Sequence, residues 1–277
     1  MDLIHAVDEL RKRLAPEPSI VLVPTMGNLH AGHVTLVEIA RAHGKCVVVT
    51  IFVNRLQFGA GGDFDRYPRT LEADCEKLAR AGCDVVFAPD ERELYPAPQE
   101  IVLTPPKVAA SLEGEHRAGH FQGVVTVVAK LLNIVRPHAA VFGKKDYQQL
   151  LVLRELVRQL DFGVEVVPGE TVREPDGLAM SSRNGYLSPA ERAEAVRLSR
   201  VLRGVRDAIV KGGRDYNGLE KAAMGELAAH GWRPDYVAVR RRAELLPPAA
   251  SDRELVVLAA AWLGRTRLID NLEVTAG

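Results

Sequence analysis

Two histidines stand three positions apart in PTMGNLHAGH, residues 24–33, directly after the apolar run SIVLV. At that spacing His30 and His33 share one face of a helical first turn. Two chemistries use such a pair. A metal site needs a third ligand, usually a carboxylate, and His43, His116, His120 and His138 have no convincing spacing to the pair. A phosphate site needs a helix N-terminus, whose N–H groups and dipole attract anions. Glycines such as Gly27 and Gly32 would let a nucleotide approach the backbone there. A histidine donor so placed can follow charge as it develops on a transferring phosphoryl group. A third reading is a pair of capping or packing histidines. Spacing alone leaves these open and favours phosphate over metal.

Other stretches carry groups suited to a polyphosphate or an acid. GKKDYQQ (143–149) offers the ammonium groups of Lys144 and Lys145 where a strand ends and a helix begins. Alone it reads as a solvated basic turn, but beside the histidine loop one lysine becomes a candidate triphosphate clamp. Asp146 suits a helix cap, and Gln149 lies one turn beyond Lys145 on the same face. MSSRNGYLS (180–188) brings Ser181, Ser182 and Arg183 ahead of an Asn-Gly turn. Either this is a polar hinge, or two hydroxyls and a guanidinium grip phosphate oxygens. FVNRLQF (52–58) sets the neutral amides of Asn54 and Gln57 at a strand end, suited to a hydroxylated or carboxylated substrate or to plain loop structure. HRAGHFQG (116–123) brings Arg117 and His120 to a glycine-punctuated helix start and is weak by itself.

These groups need a frame. Over the first two thirds, apolar β-branched runs at 19–24, 45–53, 83–89, 138–143 and 163–168 alternate with helical spacing at 31–43, 70–82, 121–136 and 146–160. Continuous apolar strands between helices imply a parallel α/β sheet covered on both faces, with right-handed crossovers. Ligands of such sheets bind beyond the carboxyl ends of strands. Met26–His33, Asn54–Phe58 and Gly143–Asp146 all follow strand ends, and Met180–Arg183 comes after the last strand of this region. MDLIHAVDELRKRL reads as an amphipathic helix rather than a signal peptide. EIVLT (100–104), flanked by prolines, reads as an edge strand or an excursion. A boundary falls near 185, because SPAE (188–191) supplies Ser188 as a cap, Pro189 for the first turn and Glu191 to reach back. Helices at 189–211 and 215–230 and the strand-like runs DYVAVRR, ELVVLAAAWLG and TRLIDNLEV then make a smaller α+β domain. The expected domains are 1–184 and 185–277.

The 277 residues carry 36 basic and 36 acidic side chains, a formal charge of zero. That balance argues against a general nucleic-acid binder, though not against a local basic pocket. Cys46, Cys75 and Cys83 form no C-x-x-C pair; Cys46 and Cys83 sit in apolar runs and read as buried thiols of a reducing compartment. No run reaches the roughly 18 apolar residues of a membrane span, so the expected location is the cytoplasm.

PTMGNLHAGH, TIFVNRLQF, RYPRTLEADCEKL, GHFQGVVTVVAKLLNIV, KDYQQL, DGLAMSSRNGYLS and AAWLGRTRLIDN occur in order across nearly the whole chain. Together they resemble the pantothenate synthetase (pantoate–β-alanine ligase) family, in the nucleotidyltransferase group marked by an H-x-G-H loop. The resemblance implies a Rossmann-type domain with a smaller C-terminal domain covering the site, in a homodimer. It implies that pantoate attacks the α-phosphorus of ATP, giving a pantoyl adenylate that β-alanine then converts to pantothenate and AMP. Carried over by position, Met26, Gly27, Asn28, Leu29, His30, Ala31, Gly32 and His33 would line ATP, with His33 the catalytic donor and His30 assisting. Gly143, Lys144, Lys145 and Asp146 would bind the nucleotide, Lys145 being the phosphate contact, and Val172 would offer backbone atoms to adenine. Met180, Ser181, Ser182 and Arg183 would complete the triphosphate site, and Gln57, Gln149 and Asn54 would serve pantoate. Mg2+ would arrive with ATP, held mainly by phosphate oxygens, with Asp74 as a protein ligand. Three positions depart from the family pattern: Lys144 replaces a glutamate, and Arg55 and Ala118 replace prolines. Two rival readings are an adenylyltransferase with a phosphoester product, which releases no AMP, and a catalytically silent nucleotide-binding module.

Overall fold

Val21–Val23, Val47–Val49 and Val85–Phe87 are stiff or bulky side chains that pack well on a pleated surface, and they form the centre of a parallel sheet. The computed structural model describes residues 1–59 and 63–277. Along the first part of the chain the elements are β1 (Asp2–Ile4), α1 (Val7–Leu14), β2 (Ile20–Thr25), α2 (Ala31–His43), β3 (Cys46–Ile51), α3 (Leu71–Ala81) and β4 (Val85–Phe87). The single turns α4 (Glu91–Leu94) and α5 (Glu113–His116) follow, then α6 (His120–Val135), β5 (Ala139–Gly143), α7 (Tyr147–Gln159) and β6 (Glu165–Gly169). Among the described residues the sheet order is β1-β4-β3-β2-β5-β6, all parallel.

From β2 the chain moves outward through β3 and β4, then returns to the other flank of β2 with β5 and β6. The order therefore reverses between β2 and β5, which pair through Val21↔Ala139 and Leu22↔Ala140. That switch point is where doubly wound sheets open a ligand crevice. One face of the sheet, Val21, Val23, Val47, Val49, Val86 and Val141, packs on Leu36, Val37 and Ala40 of α2 and Leu78 of α3. Period-two alternation turns Leu22, Val48 and Ala140, all fully buried, to the other face, where α6 lies against β2 and α1. Helix α3 ends where the sequence says, at Gly82, whose left-handed φ of 79° lets its N–H reach Leu78 and Ala79.

Two expectations change. The N-terminal residues are not one helix: Asp2–Ile4 form an edge strand on β4, with Ile4 4% exposed, and the helix begins only at Val7. Residues 100–104 join no ladder. Leu103 N–H donates to the Thr126 hydroxyl instead, and Ile101 is 80% exposed, so the stretch is the excursion rather than the edge strand.

The second part contains α8 (Pro189–Val210), α9 (Tyr216–Ala229) and an antiparallel sheet in the order β7 (Trp232–Arg241), β8 (Glu254–Leu263), β9 (Thr266–Thr275). The capping box at Ser188 and Glu191 forms as the sequence indicates. Val237, Val239, Leu255, Val257 and Leu268 pack on Leu198, Val201, Leu202, Val205 and Leu227 of the two helices. By compactness the chain divides into Met1–Lys144 with Val152–Glu170, and Lys145–Leu151 with Thr171–Gly277. Segments 145–151 and 171–184, read from sequence as part of the first domain, pack within the second unit.

Candidate active site

In the first unit the histidine pair follows the loop after β2. Gly27 has φ 81° and Asn28 φ 51°, so the chain turns through two left-handed residues before the helix starts. A Cβ at Gly27 would sit 3.0 Å from Ile51 and 3.3 Å from Asp74, so the glycine answers crowding as well as φ. The Thr25 hydroxyl donates to Thr50 O at 2.7 Å and accepts from Gly27 N–H at 3.2 Å.

His30 is the N-cap of α2, and the two imidazoles cap reciprocally. His30 Nδ1 accepts from Gly32 N–H at 3.1 Å, and His33 Nδ1 accepts from His30 N–H at 3.2 Å. A backbone N–H can donate only to a bare ring nitrogen, so each neutral ring carries its proton on Nε2. The ring centroids lie 4.0 Å apart. The first turn of α2 holds no acid, which leaves the positive helix end suited to an anion. The capping and phosphate readings are therefore compatible: Nδ1 shapes the helix start, which puts the ring proton on Nε2.

Asp74, fully buried on α3, ties this loop down. Its carboxylate accepts from Asn28 N–H and Leu29 N–H at 2.8 Å each and from the Thr70 hydroxyl at 3.0 Å. Lys77 Nζ lies 3.8 Å from it and donates to Leu29 O at 2.7 Å. These donors engage both oxygens, and among the described residues no group of three or more His, Cys, Asp or Glu could hold a metal ion. With both oxygens so engaged, the carboxylate braces the loop.

At the end of β3, Asn54 is tied into the fold. It is 1% exposed, and its amide nitrogen donates to Gly123 O and Gln57 Oε1 at 3.1 and 3.2 Å. Its oxygen accepts from Tyr95 OH at 3.0 Å. Burial, with Glu91 nearby, pushes the Tyr95 phenol above its ordinary pKa and keeps it a donor. Gln57 is half-buried, with Nε2 3.0 Å from the Met26 sulfur, so the amide assigned to pantoate touches the first residue assigned to ATP. His120 Nδ1 contacts Gln57 O at 3.0 Å. Arg55 replaces proline's stiffness with two contacts: Nε donates to Glu91 at 3.0 Å, and the guanidinium lies 3.9 Å over the Phe64 ring. Beyond β5, Gly143 leads to Lys144, whose ammonium donates to Glu170 at 2.5 Å.

The second unit gathers a separate set. Residues 172–180 form a small hairpin in which Met180 N–H donates to Val172 O at 3.0 Å and Arg173 bridges Ala179. Val172 and Met180 therefore stand together, next to Ser181–Arg183. Ser181 Oγ accepts from Arg183 N–H at 3.3 Å, capping the short 3-10 turn Ser182–Tyr186, and Asn184 Nδ2 donates to Ala179 O at 3.1 Å. Lys145 is half-buried, its carbonyl accepting from Asn271 at 2.8 Å; Asp146 is exposed and Gln149 half-buried.

Sequence reasoning missed His120 as the support of Gln57, and Arg173, Asp270 and Asn271 as supports of the hairpin and of Lys145. A polar pair inside the strand-like run TRLIDNLEV was the available signal for the last two.

The chain matches the family model described as pantoate-beta-alanine ligase over residues 2–273. It is 60% identical over 278 residues to the pantothenate synthetase of Thiobacillus denitrificans, covering 100% of this chain and 98% of that protein. The crystal structure of pantothenate synthetase from Thermus thermophilus superposes with a TM-score of 0.95 at 46% identity, over 99% of this chain and 100% of that one. Pantoate-beta-alanine ligase from Francisella tularensis, complexed with beta-gamma ATP and beta-alanine, superposes with a TM-score of 0.84 at 30% identity, over 99% of this chain and 97% of that one.

Proposed function

The chain belongs to the pantoate–β-alanine ligase family, and from that premise we propose that it condenses pantoate with β-alanine to pantothenate, consuming ATP. The observation that carries this is the match over residues 2–273, with both capping histidines in place. A carboxylate oxygen of pantoate attacks the α-phosphorus of ATP; the bond to the β-phosphate oxygen breaks and pyrophosphate leaves. The β-alanine amine then attacks the acyl carbon of the adenylate, the acyl–oxygen bond breaks, AMP leaves and the amine loses a proton. No bond to the enzyme forms, so catalysis rests on positioning and charge stabilisation.

ATP is assigned to residues 26–33, 143–146 and 180–183, Lys144 through its backbone alone, with adenine on the Val172 backbone. The Nε2–H donors of His33 and His30 are assigned to the phosphate oxygens that gain charge, and Lys145 and Arg183 to the triphosphate. Gln57 and Gln149 hold pantoate, with Asn54 fixing Gln57. Bound magnesium would neutralise phosphate oxygens, which are also its main ligands. In functional terms residues 1–184 bind nucleotide and pantoate, and residues 185–277 form the accompanying α+β domain. Among the described residues no helix is long and apolar enough to cross a membrane. Residence in the cytoplasm and assembly as a homodimer belong to this proposal; sedimentation of the purified chain measures the second.

The test is exchange of labelled pyrophosphate into ATP. Exchange should require pantoate, and added β-alanine should yield one AMP per pantothenate. Exchange supported by another acid but not by pantoate would remove the substrate assignment.

A further inference from the structure

The run Arg267–Asn271, RLIDN, contributes no residue to the chemistry assigned above, yet it carries two polar side chains into a buried part of the second unit. Asp270 is 3% and Asn271 6% exposed. Burying such groups is costly unless they are bonded, and both are. The Asp270 carboxylate receives Arg173 in a fork, Nη1 and Nη2 each at 2.8 Å, and also accepts Asn271 N–H at 2.7 Å. Arg173 donates further to Gly177 O at 3.1 Å, inside its own hairpin, and to Asn271 O at 3.0 Å. The Asn271 amide donates to Lys145 O at 2.8 Å. Two residues on, Glu273 accepts from Tyr147 OH at 2.9 Å.

Strand β9 thus holds two segments. Through Arg173 it fixes the hairpin that leads into Ser181–Arg183. Through Asn271 and Glu273 it fixes the short turn that contains Lys145. A lysine side chain has four rotatable bonds, and its reach is set by the Cα–Cβ direction. A bond to its own carbonyl removes rotation of the peptide plane beside that Cα.

We propose that Asn271 is a positioning residue that holds the Lys145 backbone so that the ammonium meets a phosphate. The inference rests on the assignment of Lys145 to the triphosphate. A purely structural role, supplying one carbonyl with a donor, would use the same bond, so the test must separate the two.

A double-mutant cycle does so. The kcat/KM for ATP in pantoate-dependent pyrophosphate exchange is measured for wild type, Asn271→Asp, Lys145→Ala and the double variant, with thermal melting of each. Asn271→Asp keeps the shape and replaces the donor with an acceptor facing Lys145 O. We expect it to lower kcat/KM about tenfold, the scale of one lost hydrogen bond. In the Lys145→Ala background the same change should cost less than about twofold, because the group it positions is gone. A further tenfold loss in that background, or an Asn271→Asp variant within about twofold of wild type, overturns the proposal. Should Asn271→Asp fail to fold, Asn271→Ser enters the same cycle. Failure of the underlying assignment has a different signature: Lys145→Ala would then exchange at the wild-type rate.

Discussion

Replacing Asp74 with alanine tests the brace on the histidine loop. The carboxylate is fully buried and accepts three hydrogen bonds, from Asn28 N–H, Leu29 N–H and the Thr70 hydroxyl. Bonds to a charged acceptor contribute roughly 1.5–3 kcal/mol each, and alanine leaves all three donors stranded. Lys77, 41% exposed, can turn to water and recover part of its own loss. The net cost should then resemble removal of one partner from a buried charged set, about 3–5 kcal/mol. With a urea m-value of about 2–3 kcal/mol/M, the midpoint followed by far-ultraviolet circular dichroism should fall by roughly 1–2.5 M. Both left-handed residues, Gly27 and Asn28, lie beside the lost bonds, so ATP binding by calorimetry should weaken as well. Asp74→Asn sharpens the test. It keeps one acceptor but points an NH2 group at a backbone N–H, so stability should fall while the magnesium requirement of exchange stays within about twofold. A rise of about tenfold or more in half-saturating magnesium would place the carboxylate on the metal and refute the brace. Unchanged stability in Asp74→Ala would refute it from the other side.

At Gly123 an added Cβ would lie 2.3 Å from Leu56 O and 2.5 Å from Gln57 N, backbone atoms that cannot swing aside. Gly123→Ala should therefore cost about 1–3 kcal/mol despite its better helix propensity, and raise the KM for pantoate; equal KM values would separate Gln57 from that substrate. Lys144→Ala should leave ATP affinity within about twofold in a calorimetric titration, since the ammonium pairs with Glu170, itself 81% exposed, and such pairs contribute about 0–1 kcal/mol. Burial pushes the Cys46 thiol up to about 11 and the Cys83 thiol up to about 12. At pH 8 the thiolate fractions are then about one in a thousand or less, so iodoacetamide should spare both until the chain is unfolded, as mass spectrometry of the labelled peptides would show.

How far the sequence could be read depended on the distance over which each feature is determined. The parallel strands and α2, α3 and α6 were legible because β-branched runs, apolar spacing and a glycine stop act within a few residues. Strand β1 was not: three residues cannot declare themselves a strand, and Asp2–Ile4 become one only by pairing with Val85–Phe87, more than 80 positions away. The role of Asp74 was hidden for the same reason, since Asn28 and Leu29 reach it from 46 and 45 positions away. The same holds for Asn271 and Lys145, which meet across 126 positions.

The histidine pair is the instructive case, because its geometry is local and was still only half read. Ser188 and Glu191 announce a capping box by their spacing, and His30 and His33 have the same spacing and make the same reciprocal bonds. A ring has two nitrogens where a serine has one oxygen. Using Nδ1 for the helix start fixes the neutral tautomer with its proton on Nε2. The interval of three residues is therefore required twice over, once to close the cap and once to present two N–H donors at the positive end of α2. A pair at i and i+4 would keep the shared face but would break the bond from His30 N–H to His33, and with it the constraint that makes Nε2 the donor.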